Sequence, residues 1–243
     1  MATSLANELQ LLSSHFTEWD NIMRRYDKQL YETSSDDVSD EDVSTVGEVH
    51  KMFETILKVC TRHGRFRDTW NFPAKFSLMP FGQETVVESA KMGATYTLGL
   101  YLRKIFLSTY LLAPSHLKSM GDEFWSCFVE LRLLGDFSFE ENASPPSQEA
   151  RKFMKSFKNT KSNIFQIIRN YILLEVYHGD SVDLGSLEVS WPLTASWNDI
   201  LSNAVKAFRY LYKINYMLYR VGGPAQSPFD YRPSSPGAGG ISF

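Results

Sequence analysis

The sequence predicts an α+β fold, a single compact domain of amphipathic helices packed on a small, mainly antiparallel sheet. Apolar residues recur every three or four positions through residues 4–31 and again from Ile200 to Ile214, the period of a helix with one buried face. Between these segments lie short runs, bounded by Pro or Gly, in which apolar and polar residues alternate as in a half-buried strand. Composition agrees: 43% hydrophobic and 22% charged residues in a chain of 243 supply one sizeable core.

In chain order, Leu5, Leu9, Leu12, Phe16, Trp19, Met23 and Tyr26 form one stripe, which predicts an N-terminal amphipathic helix over residues 1–32. Residues 33–46 are acidic and serine-rich and read as a flexible, disordered linker, because they cannot bury enough surface to offset ordering. The core domain is expected over 47–223. It opens with a short helix through Val49, Phe53, Ile56, Leu57 and Cys60, stopped at Gly64, where a positive φ is tolerated. Ala74, Phe76 and Leu78 alternate with polar residues between Pro73 and Pro80, which predicts an edge strand. From Gln83 to about Leu112 the spacing reads as one or two helices, with Gly93 and Gly99 marking a break or close packing. Val129, Leu131 and Leu133 alternate, followed by Gly135-Asp136 and then Phe137 and Phe139, a predicted strand or hairpin. Phe153, Met154, Phe157, Phe165 and Ile168 support a further helix. The clearest hairpin signal runs through His178-Gly179-Asp180 to Leu187, Val189 and Trp191. Ser196 or Asn198 caps the last helix, which ends at Gly222-Gly223, and residues 224–243 form a Pro/Gly/Ser tail expected to be disordered.

Composition excludes several classes. Cys60 and Cys127 are too few for a disulfide scaffold, and MATSLANELQ is no secretory signal, so an intracellular, reducing location is expected. The most apolar stretch, 92–113, carries Arg103 and Lys104 at its middle, which argues against a membrane span. The net charge of −3 is uneven. Seven acids and no Lys or Arg fall within 32–48, and the rest of the chain is mildly basic.

No catalytic pattern is present. The Gly-dense GAGG at 237–240 lacks a following helix, Cys60 and His63 are the only close metal-ligand pair, and Cys127 sits in an apolar run beside Trp125 and Phe128. No cofactor, metal or small-molecule substrate is expected, and the reading is of a non-enzymatic protein. Two segments point to interaction instead. The run 151–169 holds Arg151, Lys152, Lys155, Lys158, Lys161 and Arg169 with no acid, and Arg62, Arg65 and Arg67 form a smaller cluster. Together they predict a site for anionic partners: lipid head groups, nucleic-acid phosphates or an acidic protein segment. Thr33, Ser34 and Ser39 each have an Asp three residues later and are candidate phosphorylation sites.

The strand AKFSLMPF leading into the stretch read as helical, and the late SLEVSWPL preceding a helix that opens SWNDIL, resemble the core of rhabdovirus matrix proteins, particularly the plant-infecting type. The resemblance covers about two-thirds of the chain in pattern. It implies a structural protein that self-associates, condenses a ribonucleoprotein and contacts a membrane. The acidic linker and patterned N-terminal helix depart from the basic N-terminus of that family, and Pro228-Phe-Asp-Tyr231 and Pro233-Ser-Ser-Pro236 only approximate its proline motifs. The other readings are an intracellular adaptor with a protein partner and an enzyme of a class without recognisable motifs.

Overall fold

A computed structural model describes residues 4–32, 40–64, 66–73, 76–79, 81–112, 114–140 and 186–222. The N-terminal stripe forms α1 (Leu5–Leu12), one 3-10 turn, and α2 (Phe16–Glu32). Ser4 caps α1 by accepting the Asn7 N–H at 3.2 Å. α3 spans Asp40–His63, so it begins inside the stretch expected to be linker. Thr45 and Val49, within its first three turns, are already buried. Gly64 ends the helix for a different reason from the expected one. A Cβ there would lie 1.8 Å from the Phe66 ring, so this turn needs the space of glycine rather than its left-handed φ. The rest of the expected linker, the basic run 151–169 and the tail 224–243 lie outside the described residues.

One seven-stranded sheet follows: β1 (Trp70–Asn71), β2 (Phe76–Met79), β3 (Gly82–Ser89), β4 (Thr95–Tyr101), β5 (Lys104–Tyr110), β6 (Asp136–Glu140) and β7 (Ser186–Pro192). Its order is β1-β3-β4-β5-β7-β6, with β2 also on the outer edge of β3 as the Pro-bounded run predicted. Every pairing is antiparallel. The stretch 83–112 is therefore a three-stranded meander, not helix. In β4 and β5 three consecutive residues are buried, Leu98–Leu100 and Ile105–Leu107, with Phe106 lying over Gly99 on the face away from the helices, and this blurs the two-residue period. The expected strand at 129–134 is corrected likewise. α4 (Asp122–Leu131) buries Phe124, Cys127, Phe128 and Leu131, a helical set. The strand expected at Phe137 and Phe139 is β6, and β7 pairs with both β5 and β6.

α5 (Trp197–Gly222) is capped as expected by Ser196, whose Oγ accepts the Asp199 N–H at 3.2 Å and donates to Asp199 Oδ2 at 2.6 Å. α2, α3, α4 and α5 bury one face of the sheet in one core that includes Tyr26, Phe53, Tyr96, Leu107, Phe128 and Phe208. The N-terminal helix thus belongs to the same core. No helix among the described residues is long and apolar enough to cross a membrane.

Candidate interaction surface

Two hairpins end side by side. Met79 pairs with Gly82, Gly82 with Tyr101, and Tyr101 with Lys104, so the β2–β3 and β4–β5 turns share one end of the sheet, here the turn end. The β4–β5 connection has only Leu102 and Arg103, with φ of 47° and 62°, and Phe81 beside it has φ 61°. Two-residue turns of this kind favour Asn-Gly, because a side chain at positive φ crowds its own backbone. These three are the positive-φ residues other than glycine among the described residues.

The turns are clamped from above. Arg103 Nε donates to Asp27 Oδ1 at 2.9 Å, and its guanidinium lies 4.6 Å from the Tyr31 ring centroid. Tyr31 stacks on Phe81 at 5.4 Å. Lys104 Nζ donates to Asp136 Oδ2 at 2.9 Å, and that hydrogen bond and charge hold its ammonium above the usual lysine range. Gln83 Nε2 donates to the Val46 carbonyl at 3.3 Å, which places the start of α3 at this end too.

Apolar side chains concentrate here. Of the eleven exposed large apolar residues among those described, seven are on elements that reach the turn end: Tyr31, Val43, Leu78, Phe81, Tyr101, Leu102 and Leu133. Leu133 is 75% exposed, Leu78 63% and Leu102 53%, so more than half of each faces solvent. A groove of about 620 Å³ runs from Tyr101, Leu102 and Lys104 along the second face of the sheet, past Phe106 and Ser108 to Tyr110 and Ser186, with Glu84 and Glu188 at its sides.

The opposite, loop end holds two networks of polar groups, centred on Asp68 and Asn215. Asp68 accepts from Ser89 Oγ at 2.6 Å, Tyr212 Oη at 3.0 Å, Thr69 N at 2.8 Å and Lys91 N at 3.1 Å. Burial and the Asp68 carboxylate push the Tyr212 phenol above its usual range. Buried Asn215 accepts the Leu112 N–H and donates to Thr109 Oγ1 and the Tyr110 carbonyl, each at 3.0 Å. Phe66, Trp70, Tyr96, Phe208 and Tyr212 pack as one aromatic group around them.

The residues expected to bind anions fall at this loop end where they are described. Arg67 is exposed beside Lys91, along a shallow pocket of about 480 Å³. Arg62, with His63, instead bonds Glu8 and ties α1 to the end of α3. Arg65, Arg151, Lys152, Lys155, Lys158, Lys161 and Arg169 lie outside the described residues, as do Thr33, Ser34 and Ser39. The segment carrying the basic run leaves from Glu140 and returns at Ser186, a registered pair at the loop end. Cys60 and Cys127 are free and buried, and burial pushes both thiols up. No trio of His, Cys, Asp or Glu among the described residues is placed to hold a metal. The turn-end surface was not foreseen; its one signal is the absence of Gly, Asn or Pro between the apolar runs that end at Tyr101 and start at Lys104. No family model, curated protein or solved structure matches the chain.

Proposed function

We propose that this chain is a non-enzymatic structural protein that acts through protein contacts, and that the turn end of its sheet is the contact surface. The observation that carries the reading is the placement of Phe81 and Leu102. Each occupies a backbone conformation costing on the order of 1–3 kcal/mol, and each leaves its side chain exposed. Burial in the core does not compensate that strain, whereas a partner that covers the two side chains would. Exposed apolar groups on a rigid pair of hairpins meet the usual requirements of such a contact.

The reading fits a matrix-like assembly protein and an intracellular adaptor equally well in its chemistry. Only the second half of the element order behind the matrix resemblance keeps its form, since the stretch after AKFSLMPF is strand. An anionic membrane or nucleocapsid as partner draws on the basic run. Phosphorylation at Thr33, Ser34 or Ser39 would add negative charge near Tyr31 and the start of α3. The test is purification of tagged chain from native material, with the protein as it stands and with Phe81→Asp and Leu102→Asp together, folding being checked by near-UV circular dichroism. Stoichiometric partners present with the first and missing with the second are expected. An unchanged set of partners with a folded variant refutes the surface.

A further inference from the structure

We propose that residues 150–174 of this chain lie in the groove on the second face of its sheet, so that their apolar side chains hold the basic run against the scaffold. Phe106, on the floor of that groove, is 6% exposed yet stands outside the core that the helices form with the sheet. Gly99 and Ser190 oppose it on the flanking strands, and neither offers more than a hydroxymethyl group to shield a ring. Lys104, two residues along, reaches across β7 to Asp136, whereas the Phe106 ring leans the other way, over Gly99. Thr97, Ser108 and Ser186 continue this floor of small side chains, with Tyr101 and Tyr110, each 44% exposed, towards its two ends. The groove is shaped to receive apolar side chains.

Where the chain leaves and re-enters the sheet names the occupant. Glu140 and Ser186 are a registered pair, so residues 141–185 start and finish on adjoining strands, and Ser186 is itself a wall of the groove. Along β5 the groove is about 20 Å long, at about 3.4 Å per residue. Even at a helical rise of about 1.5 Å per residue, residues 141–185 reach about 68 Å, enough to pass along it and return. Phe153, Phe157, Phe165, Ile168, Ile172 and Leu174 fall within 150–174, apolar groups that gain by leaving water, and the helices already fill the first face. The same stretch carries six Lys or Arg and no acid, and Glu84 and Glu188 stand at the sides of the groove. The basic run then belongs to a fixed surface of the scaffold. This packing is independent of what covers the turn end.

Trypsin tests this, because every base of the run is a cleavage site and a protease cuts only segments that open. The full chain is compared with a synthetic peptide of residues 150–174, which carries the same bonds, the cut sites being read by mass spectrometry. In the unaltered chain the run is expected to be cut at least about tenfold more slowly than in the peptide, at every protein concentration. Two variants block the groove. Ser108→Trp fills its floor with an indole, and Glu84→Lys with Glu188→Lys reverses the charge at its sides; near-UV circular dichroism shows that each is folded. Both should raise the cleavage rate to that of the peptide, and should Ser108→Trp fail to fold, the charge reversal decides. Cleavage of the unaltered run as fast as the peptide overturns the proposal. So does protection that survives in a folded blocked variant, since the segment is then held elsewhere. Protection that fades on dilution means that a second copy's segment fills the groove, and the assignment within one chain is wrong.

Discussion

At the loop end the chain turns on Gly93, with φ 69°, whereas at the turn end it turns on Phe81, Leu102 and Arg103 at nearly the same φ. The loop end also ties buried polar groups together through Asp68 and Asn215, while the turn end leaves apolar groups in water. One end follows the rule that a positive φ falls to glycine. The other departs from that rule three times within two adjacent hairpins, and such departures persist where another requirement opposes stability.

Four variants test that contrast, in order of expected effect. Asn215→Leu leaves the buried Leu112 N–H and Tyr110 carbonyl unpaired and should cost about 3 kcal/mol or more, lowering Tm by roughly 6–12 °C in calorimetry. Gly93→Leu forces a side chain into the left-handed region and should cost about 1–2 kcal/mol in denaturant unfolding. The converse change, Leu102→Asn with Arg103→Gly, should stabilise by up to about 1 kcal/mol, since the relief at the turn exceeds the loss of the Arg103 contacts with Asp27 and Tyr31. A double variant less stable than the original would show that Leu102 and Arg103 serve the fold, and the contrast between the ends would collapse. Leu78→Ser should shift stability by no more than about 0.5 kcal/mol, because its side chain contributes little to the core.

The fold class was legible because the outer helices are one-sided. α2 and α5 each bury a single stripe, so Trp19, Met23 and Tyr26, and Leu201, Phe208 and Leu211, announce their period directly. The central strands have buried residues on both faces at mid-length, Gly99 and Phe106 being buried on the face away from the helices. A Cβ on Gly99 would lie 2.5 Å from the Phe106 ring, so the glycine read as a break or as close helix packing is the floor beneath an aromatic in a strand. The β4–β5 turn added to the difficulty, since Leu102-Arg103 continues the apolar run instead of punctuating it. The fold and the site were hidden by the same residues. A turn that uses its side chains for something else carries no turn signature.

The register of β6 against β7 has one more consequence. Glu140 faces Ser186 directly, so residues 141–185 begin and end on neighbouring strands whose Cα atoms are about 5 Å apart. That separation is what a two-residue hairpin spans. In topological terms the segment is an insertion into a β-hairpin: a circularly permuted chain could open there, and a graft could replace it with Asn-Gly, without re-threading any strand of the sheet. A sequence of any length between Glu140 and Ser186 leaves the connectivity of the described strands the same.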